Sequence, residues 1–85
     1  MYKIAFKKSA EKDLSKINPV YYESVVDNIR ELAYNPRPFG SVKLKGYLNI
    51  YRIRVGVYRV VYTIEDSILT IEVIKIDHRS SVYRP

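Results

Sequence analysis

Apolar residues recur with two different periods in the first part of the chain. Residues 2–6 alternate apolar with polar or small side chains, which predicts a short strand. Behind this strand, Ala10, Leu14 and Ile17 fall on one face of a helix, and Ser9 is a residue type that caps helix N-termini. The pattern therefore predicts a strand followed by a short helix capped by Ser9.

A second, longer helix is predicted between Asn18-Pro19 and Asn35-Pro36. Asparagine is a good cap, and proline fits the first helical position because its missing N–H would have no partner there. The apolar side chains that follow recur at positions i, i+3, i+4 and i+7, which is typical of a helix with one face in the core. They are Tyr22, Val25, Val26, Ile29, Leu32 and Ala33.

From Tyr47 onward the apolar period changes to two, which predicts strands at about 47–55, 57–64 and 68–76, with turns at Gly56 and at residues 65–67. The element order is β-α-α-β-β-β, and short turns join neighbouring strands. This order predicts an α+β fold in which two N-terminal helices pack on one face of a small, mainly antiparallel four-stranded sheet.

Composition limits the kinds of site that the chain offers. With 85 residues, the chain is predicted to form a single domain, residues 1–85, with a small core. It has one histidine and no cysteine, so we expect neither disulfides nor a metal site, and we expect no cofactor. The N-terminal apolar run is too short for a signal peptide or a membrane span, which favours a cytoplasmic protein.

Positive charge is concentrated in the second half of the chain, and the net charge is +6. Residues 1–35 carry six Lys and Arg against five Asp and Glu, whereas residues 36–85 carry nine against four. Such a surface attracts nucleic acid, an acidic protein or an anionic membrane. The membrane ranks last because no basic amphipathic helix with a bulky apolar face is present.

Three arginines in the central hairpin are predicted to share one face. Arg52 and Arg54 are two residues apart in a strand, so their Cα atoms lie ~6.8 Å apart on the same side. A type II′ turn at Gly56-Val57 sets Arg54 directly opposite Arg59. If Val55-Gly56 forms the turn instead, Arg52 faces Arg59, and the three arginines still share one face. Like charges so placed cost up to ~1 kcal/mol, so folding alone gives no reason for them. Any one of these arginines taken singly is better explained as a solvated residue, but three that share one face are interpreted as a phosphate site.

The same alternation assigns Tyr51, Tyr58 and Tyr62 to the opposite, helix-covered face of the hairpin. These tyrosines are therefore predicted to be core residues rather than platforms for base stacking. Tyr47 and Tyr83 remain candidates for stacking on an RNA base.

The segment after the last predicted strand carries His78 and Tyr83. RNA is cut without metal when a base removes the 2′-OH proton, an acid protonates the leaving 5′-oxygen, and cations stabilise the phosphoryl oxygens. Arginine stays protonated in proteins, so the proton transfers would fall to His78 or Tyr83. A lone histidine beside a strand end is more often an ordinary surface group. Further basic residues predicted to bind RNA are Lys43, Lys45, Arg79 and Arg84.

Several motifs spread over nearly the whole chain form a set: Ala10-Glu11-Lys12-Asp13-Leu14, Asn35-Pro36, Lys43-Leu44-Lys45-Gly46, the hairpin from Tyr51 to Tyr62, His78-Arg79 and Val82-Tyr83. In this set the chain resembles the RelE/ParE toxin superfamily, specifically the RelE-type messenger-RNA interferases of toxin-antitoxin modules. The resemblance implies a small antiparallel sheet with two N-terminal helices, which matches the predicted order of elements.

The resemblance also implies ribosome-dependent cleavage of mRNA in the A site, a 2′,3′-cyclic phosphate product, and inhibition by a cognate acidic antitoxin. By position, Arg52 and Arg54 match the paired basic residues of the family's hairpin, which are lysines in some RelE-type enzymes. Arg59 matches the arginine of the next strand. His78 stands near a histidine of other members, and Arg79 and Tyr83 match a C-terminal arginine and tyrosine. These six residues are the catalytic residues that the resemblance implies.

Two other functions fit the same fold. A ParE-like toxin would bind DNA gyrase and cleave nothing. A toxin-like module without activity would only pair with an antitoxin or repress its operon. The combination of His78, Arg79 and Tyr83 favours the nuclease.

Overall fold

The computed structural model describes residues 1–78, and residues 79–85 lie outside the described part. Its elements in chain order are β1 (Lys3–Phe6), α1 (Lys8–Ser15), α2 (Pro19–Glu31), β2 (Val42–Lys43), β3 (Ile50–Val55), β4 (Tyr58–Glu65), a 3-10 turn (Asp66–Ile68) and β5 (Thr70–His78). The strands form one sheet in the order β1-β5-β4-β3-β2. Neither helix is long and apolar enough to cross a membrane.

The predicted α+β class and element order are confirmed, but the described sheet has five strands rather than four. The additional strand is β2, which pairs Val42 with Arg52 and Lys43 with Tyr51. A strand of two residues is too short to show an alternating pattern, so the sequence could not reveal it. The sheet is mixed, because β1 runs parallel to β5 while the other pairs are antiparallel.

Three strand ends differ from the predicted ones by two residues or more, and one of them is the start of the last strand, at Thr70 instead of residue 68. The strand predicted from residue 47 begins at Ile50. The last strand continues to His78 instead of ending at residue 76, because Asp77 pairs with Arg59 and His78 pairs with Tyr58. His78 is therefore part of the sheet and does not lie in a loop beyond it.

The core lies between the two helices and one face of the sheet. Val25 and Leu32 from the helical side are fully buried, and Val60, Tyr62 and Val73 from the sheet are fully buried against them. Alternate residues of β3 and β4 point into this core, as the period of two predicted. Among residues 1–78, both helices pack on this one face, so neither covers the other face of the sheet.

The two helix starts differ in how well their sequences predicted them. Asn18 caps α2 as expected, since its Oδ1 accepts a hydrogen bond from the Val20 N–H at 2.9 Å. The prediction that Ser9 caps α1 was wrong, because the cap position is Lys7 and Ser9 lies in the first turn. The Ser9 hydroxyl instead donates to the Ile74 carbonyl at 3.2 Å. The hydroxyl that the local pattern assigned to capping therefore binds a carbonyl group that is distant in sequence.

One role of α1 is to supply a hydrogen-bond acceptor to the part of the β5 edge that β1 does not cover. The parallel pairing ends where Phe6 meets Val73, and a register shift in the β4–β5 ladder leaves Ile74 as an extra residue. Beyond this bulge, the Ile76 N–H donates to Asp13 Oδ2 at 3.0 Å. Asp13 thus supplies the acceptor that a neighbouring strand would otherwise supply.

Replacing Asp13 by alanine should destabilise the fold by about 1–3 kcal/mol, because the Ile76 N–H would lose its acceptor close to the core. Asp13→Asn should lose less, since the amide keeps an oxygen in the same place. Urea unfolding at neutral pH measures both changes. Glu11→Ala, an exposed change in the same helix, serves as the control and should stay within about 0.5 kcal/mol of the unsubstituted protein. Equal stability of Asp13→Ala and Glu11→Ala would contradict the role given to Asp13.

Candidate RNA-binding site

The central hairpin has the register that the sequence predicted. Arg54 pairs with Arg59 and Ile53 pairs with Val60. Gly56 has a φ of +60°, and Val57 is not among the residues with positive φ, which fits a type II′ turn. Glycine is needed at this position for a second reason, because a Cβ there would lie 2.7 Å from Cε1 of Tyr21.

The three arginines, which we call the arginine cluster, lie on the face of the sheet opposite the core. Arg54 is exposed, whereas Arg52 and Arg59 are half-buried. Asp77 pairs with Arg59 and so shares this face, and its Oδ2 lies 3.4 Å from Nζ of Lys75. Within residues 1–78, four cations and one carboxylate therefore lie close together on the face that neither helix covers, which is an arrangement that favours a bound anion.

Other predicted site residues lie elsewhere in the described part of the chain. His78 pairs with Tyr58, and the two rings meet edge to face at 5.6 Å, so the imidazole lies on the helix side of the sheet. Lys43 pairs with Tyr51 and so also belongs to that side. Lys45 and Tyr47 are exposed in the connection between β2 and β3.

The structure thus brings together Arg52, Arg54 and Arg59, and separates them from His78 and Lys43 across the sheet. The remaining predicted residues lie outside the described part: Arg79, Tyr83 and Arg84. Tyr51, Tyr58 and Tyr62 lie on the helix side, as predicted.

Sequence reasoning missed a cleft of about 320 Å³ beside the arginine cluster. Arg52 and Arg54 form part of its lining, Asn28 and Glu31 of α2 form another part, and the loop around Phe39 completes it. The sequence did contain a signal, since Pro38-Phe39-Gly40 sets an aromatic residue in a turn where no core position is available. The cleft extends the candidate site from the open face to the edge of β3.

A polar network holds the loop that carries this aromatic residue. Arg37 binds Asp66 with an Nη2–Oδ2 distance of 2.9 Å, and its Nε donates to the Tyr51 hydroxyl at 3.2 Å. The Tyr2 hydroxyl donates to Asp66 at 2.6 Å. Hydrogen bonds from Arg37 and then from Tyr2 lower the pKa of the Asp66 carboxyl. The loop is thus fixed to the turn before β5 and to the N-terminus.

A second anchor of the same loop is buried. The Tyr62 hydroxyl donates to the Pro36 carbonyl at 2.7 Å, and burial raises the pKa of Tyr62 to about 12. Because that phenol stays protonated at any physiological pH, the hydrogen bond persists. Among residues 1–78, no group of three or more His, Cys, Asp or Glu side chains is placed to hold a metal ion.

Comparison with known proteins assigns the chain to a family. A family model described as the ParE toxin of the type II toxin-antitoxin system parDE matches residues 4–83. Toxin RelG of Mycobacterium tuberculosis is 30% identical over 84 residues, covering 98% of this chain and 97% of RelG. The chain belongs to the RelE/ParE toxin superfamily of type II toxin-antitoxin systems. Toxin RelE3 of Methanocaldococcus jannaschii is 35% identical over 86 residues, covering 95% and 94% of the two chains.

Solved structures of RelE proteins share the fold of this toxin. The isolated Escherichia coli RelE toxin superposes with a TM-score of 0.82 at 29% identity, covering 98% of this chain and 92% of RelE. A chain of the archaeal RelE-RelB complex from Pyrococcus horikoshii gives 0.81 at 29% identity, covering 92% and 94%. The family resemblance inferred from the sequence motifs is therefore confirmed.

Gly56→Ala should destabilise the toxin more than Gly46→Ala does. Both glycines have positive φ, so either alanine should cost about 1–2 kcal/mol in backbone strain. Only at Gly56 would the new Cβ also overlap the ring of Tyr21, whereas no atom lies within 4 Å at Gly46. Urea unfolding of the two variants isolates the ring contact, and equal losses would show that Tyr21 moves away without cost.

Asp66→Asn should reduce the stability of the toxin at neutral pH but less in acid. Asp66 has a lowered pKa in the folded state, so its stabilisation is present above the ordinary carboxyl pKa of 3.8 and is lost as pH falls through the lowered value. Urea midpoints measured from pH 7 down to about pH 2.5 should therefore converge for the variant and the unsubstituted toxin. A constant difference over this range would contradict the network.

Proposed function

We propose that this toxin is a ribosome-dependent endoribonuclease that cuts mRNA in the A site by metal-independent attack of the 2′-OH. The observation that supports it most is the arginine cluster, in which Arg54 faces Arg59 on an open face. A directly opposed like-charge pair is unfavourable by up to ~1 kcal/mol, and a bound phosphate would reverse the sign of this interaction. The toxins RelG and RelE3 resemble this chain over nearly its full length.

Arginines in this arrangement suit the charge that develops during cleavage. As O2′ attacks, a bond forms from O2′ to phosphorus, the P–O5′ bond breaks, and negative charge gathers on the phosphoryl oxygens. Fixed guanidinium groups stabilise that charge, and the half-buried Arg59 does so with less screening by water than an exposed residue. The products are a 2′,3′-cyclic phosphate and a 5′-OH.

Two proton transfers accompany this step, and the arginines cannot perform them. One group must take the 2′-OH proton and another must protonate O5′. Among the proposed catalytic residues, His78 and Tyr83 have suitable chemistry, with Arg79 as a further cation. The imidazole of His78 contacts Tyr58 on the helix side of the sheet, away from the arginine cluster. We therefore assign the main role in proton transfer to Tyr83.

The open face also accounts for dependence on the ribosome. Attack by the 2′-OH requires the nucleophile, phosphorus and the leaving oxygen to lie in line, and a shallow cationic face binds phosphate without bending the RNA in this way. We propose that the A site holds the mRNA in the required geometry and that Lys43, Lys45 and Arg84 add general attraction to RNA. The toxin would then act in the cytoplasm, where ribosomes translate.

A cognate antitoxin is the second proposed partner. Solved relatives include RelE-RelB complexes from Pyrococcus horikoshii and from Escherichia coli. The net charge of +6 on this chain is suited to an acidic antitoxin. An antitoxin that neutralises the arginine cluster would block the binding of RNA. The antitoxin and the RNA substrate would thus compete for the same positive charges.

Gyrase inhibition is the competing function, because the matching family model is that of the ParE toxin. It predicts loss of DNA supercoiling without any cut in RNA. A supercoiling assay on the preparation used for cleavage distinguishes the two, and inactivity in both assays would indicate a module that only pairs with an antitoxin.

Arg59→Ala and Arg54→Ala should each slow A-site cleavage by about 100-fold or more, because each removes a cation from the developing charge. Programmed ribosomes are incubated with toxin in EDTA, and mRNA ends are mapped by primer extension. Arg30→Ala is the matched control, since it removes one exposed arginine from α2 and should change the rate less than twofold. Absence of A-site cuts by the unsubstituted toxin would contradict the proposed nuclease function.

Tyr83→Phe should reduce the same rate more than His78→Gln, because the phenolic proton is the one assigned to the reaction. Both variants keep the size of the side chain. A larger loss in His78→Gln would transfer the proton-transfer role to the histidine.

A further inference from the structure

Phe39 is held in the most exposed position of any large apolar residue in the described chain. Its side chain is as exposed as in an extended peptide. The Ser41 N–H donates to the Pro38 carbonyl at 2.9 Å, and Gly40 has a φ of +92°, which defines a type II turn with Phe39 at its first central position. A single exposed apolar residue is ordinary on a protein surface, so exposure alone assigns no role to it.

Anchoring distinguishes this residue from an ordinary exposed side chain. The turn follows directly on Pro36, whose carbonyl accepts from the buried Tyr62, and on Arg37, which binds Asp66 and Tyr51. Asn35 Oδ1 also accepts from the Arg37 N–H at 3.3 Å. None of these bonds buries Phe39, so the loop fixes the backbone and leaves the ring in water. Because the backbone is already fixed, a partner that stacks on the ring does not have to order the loop.

The cleft next to Phe39 combines three kinds of group. Arg52 and Arg54 of the arginine cluster lie on one side, and Glu31 and Asn28 of α2 lie on another. The Asn28 amide nitrogen donates to the Ser24 carbonyl at 2.8 Å, which fixes the orientation of that side chain. A volume of about 320 Å³ is at the small end of the range for ligand sites. An apolar ring, hydrogen-bond acceptors and adjacent cations are the groups that recognise a nucleotide in single-stranded RNA.

We propose that this cleft binds one unpaired nucleobase of the RNA substrate, with the base stacked on Phe39 and its edge hydrogen-bonded to Glu31. The inference rests on the proposed function, because the backbone of the same RNA is bound by the arginine cluster. The carboxylate of Glu31 accepts hydrogen bonds only, so it favours a base edge that presents donors. Guanine fits best, since its N1–H and N2–H₂ lie side by side and a carboxylate accepts both. The cleft thereby makes cleavage depend on the sequence of the codon.

A carboxylate beside a phosphate site is otherwise unfavourable. Glu31 lines the same cleft as Arg52 and Arg54, and it would repel RNA phosphates there. A role in reading a base edge explains why an acceptor is useful at this place, and an acidic protein segment would be repelled by Glu31 in the same way. What Glu31 does attract is a neutral base edge that presents hydrogen-bond donors.

The test is single-turnover cleavage on programmed ribosomes whose A-site codons differ by one base, guanine against adenine at each position in turn. The unsubstituted toxin should prefer guanine at one position by about 5-fold to 100-fold, the range expected for stacking and edge recognition together. Phe39→Ala should slow cutting of the preferred codon by a similar factor, whereas Phe39→Tyr should keep the rate. Glu31→Gln should lower the cutting rate of the guanine codon to that of the adenine codon, because an amide offers one acceptor oxygen instead of two.

Leu48→Ala is the matched control, since Leu48 is another highly exposed apolar residue and lies in the β2–β3 connection. It should leave rate and preference unchanged. No cutting by the unsubstituted toxin overturns the proposed function and this subsite with it. Cutting of the preferred codon at an unchanged rate in Phe39→Ala overturns the subsite alone. If Phe39→Ala cuts normally but escapes inhibition by its antitoxin, Phe39 is a protein contact and the nucleobase assignment is wrong.

Discussion

The two-residue turn at Gly56 is the constraint on which the rest of the structure depends. Because side chains alternate along paired strands, this turn decides which residues of β3 and β4 face the helices and which face outward. With the observed register, Tyr62 and Ile53 enter the core while Arg54 and Arg59 meet on the open face. A slip by one residue would bury the arginines. The arginine cluster and the hydrophobic core are therefore two consequences of one register.

Most of the fold follows from local patterns. The period of two in the hairpin, the Asn18-Pro19 helix start and the glycine turn are each local signals, and each is confirmed. Local sequence patterns could not predict the features that depend on contacts between residues far apart in the chain. The role of Asp13 depends on an N–H sixty-three residues later in the chain, and the hydroxyl of Ser9 is likewise taken by a residue of β5. The pairing of β2 involves too few residues to leave a pattern.

Strand parity explains why the sequence placed the three arginines correctly and misplaced His78. Parity along a strand grouped the arginines correctly, because it needs no knowledge of anything beyond the hairpin. The same parity sets His78 on the other side of the sheet, but only once the β4–β5 register and the true end of β5 are known. The cleft at Phe39 joins α2, a loop and β3, which lie far apart in sequence, so no local pattern could show it.

In the proposed function, the arginine cluster binds phosphate and does not stabilise the fold. The most direct measurement is the thermal midpoint of the toxin in increasing concentrations of a short 2′-O-methyl RNA, which binds but cannot be cut. Ligand that binds only the folded state raises the midpoint. The account predicts a rise for the unsubstituted toxin and for Arg30→Ala, and a much smaller rise for the double variant Arg54→Ala/Arg59→Ala. An equal rise in the double variant would contradict it.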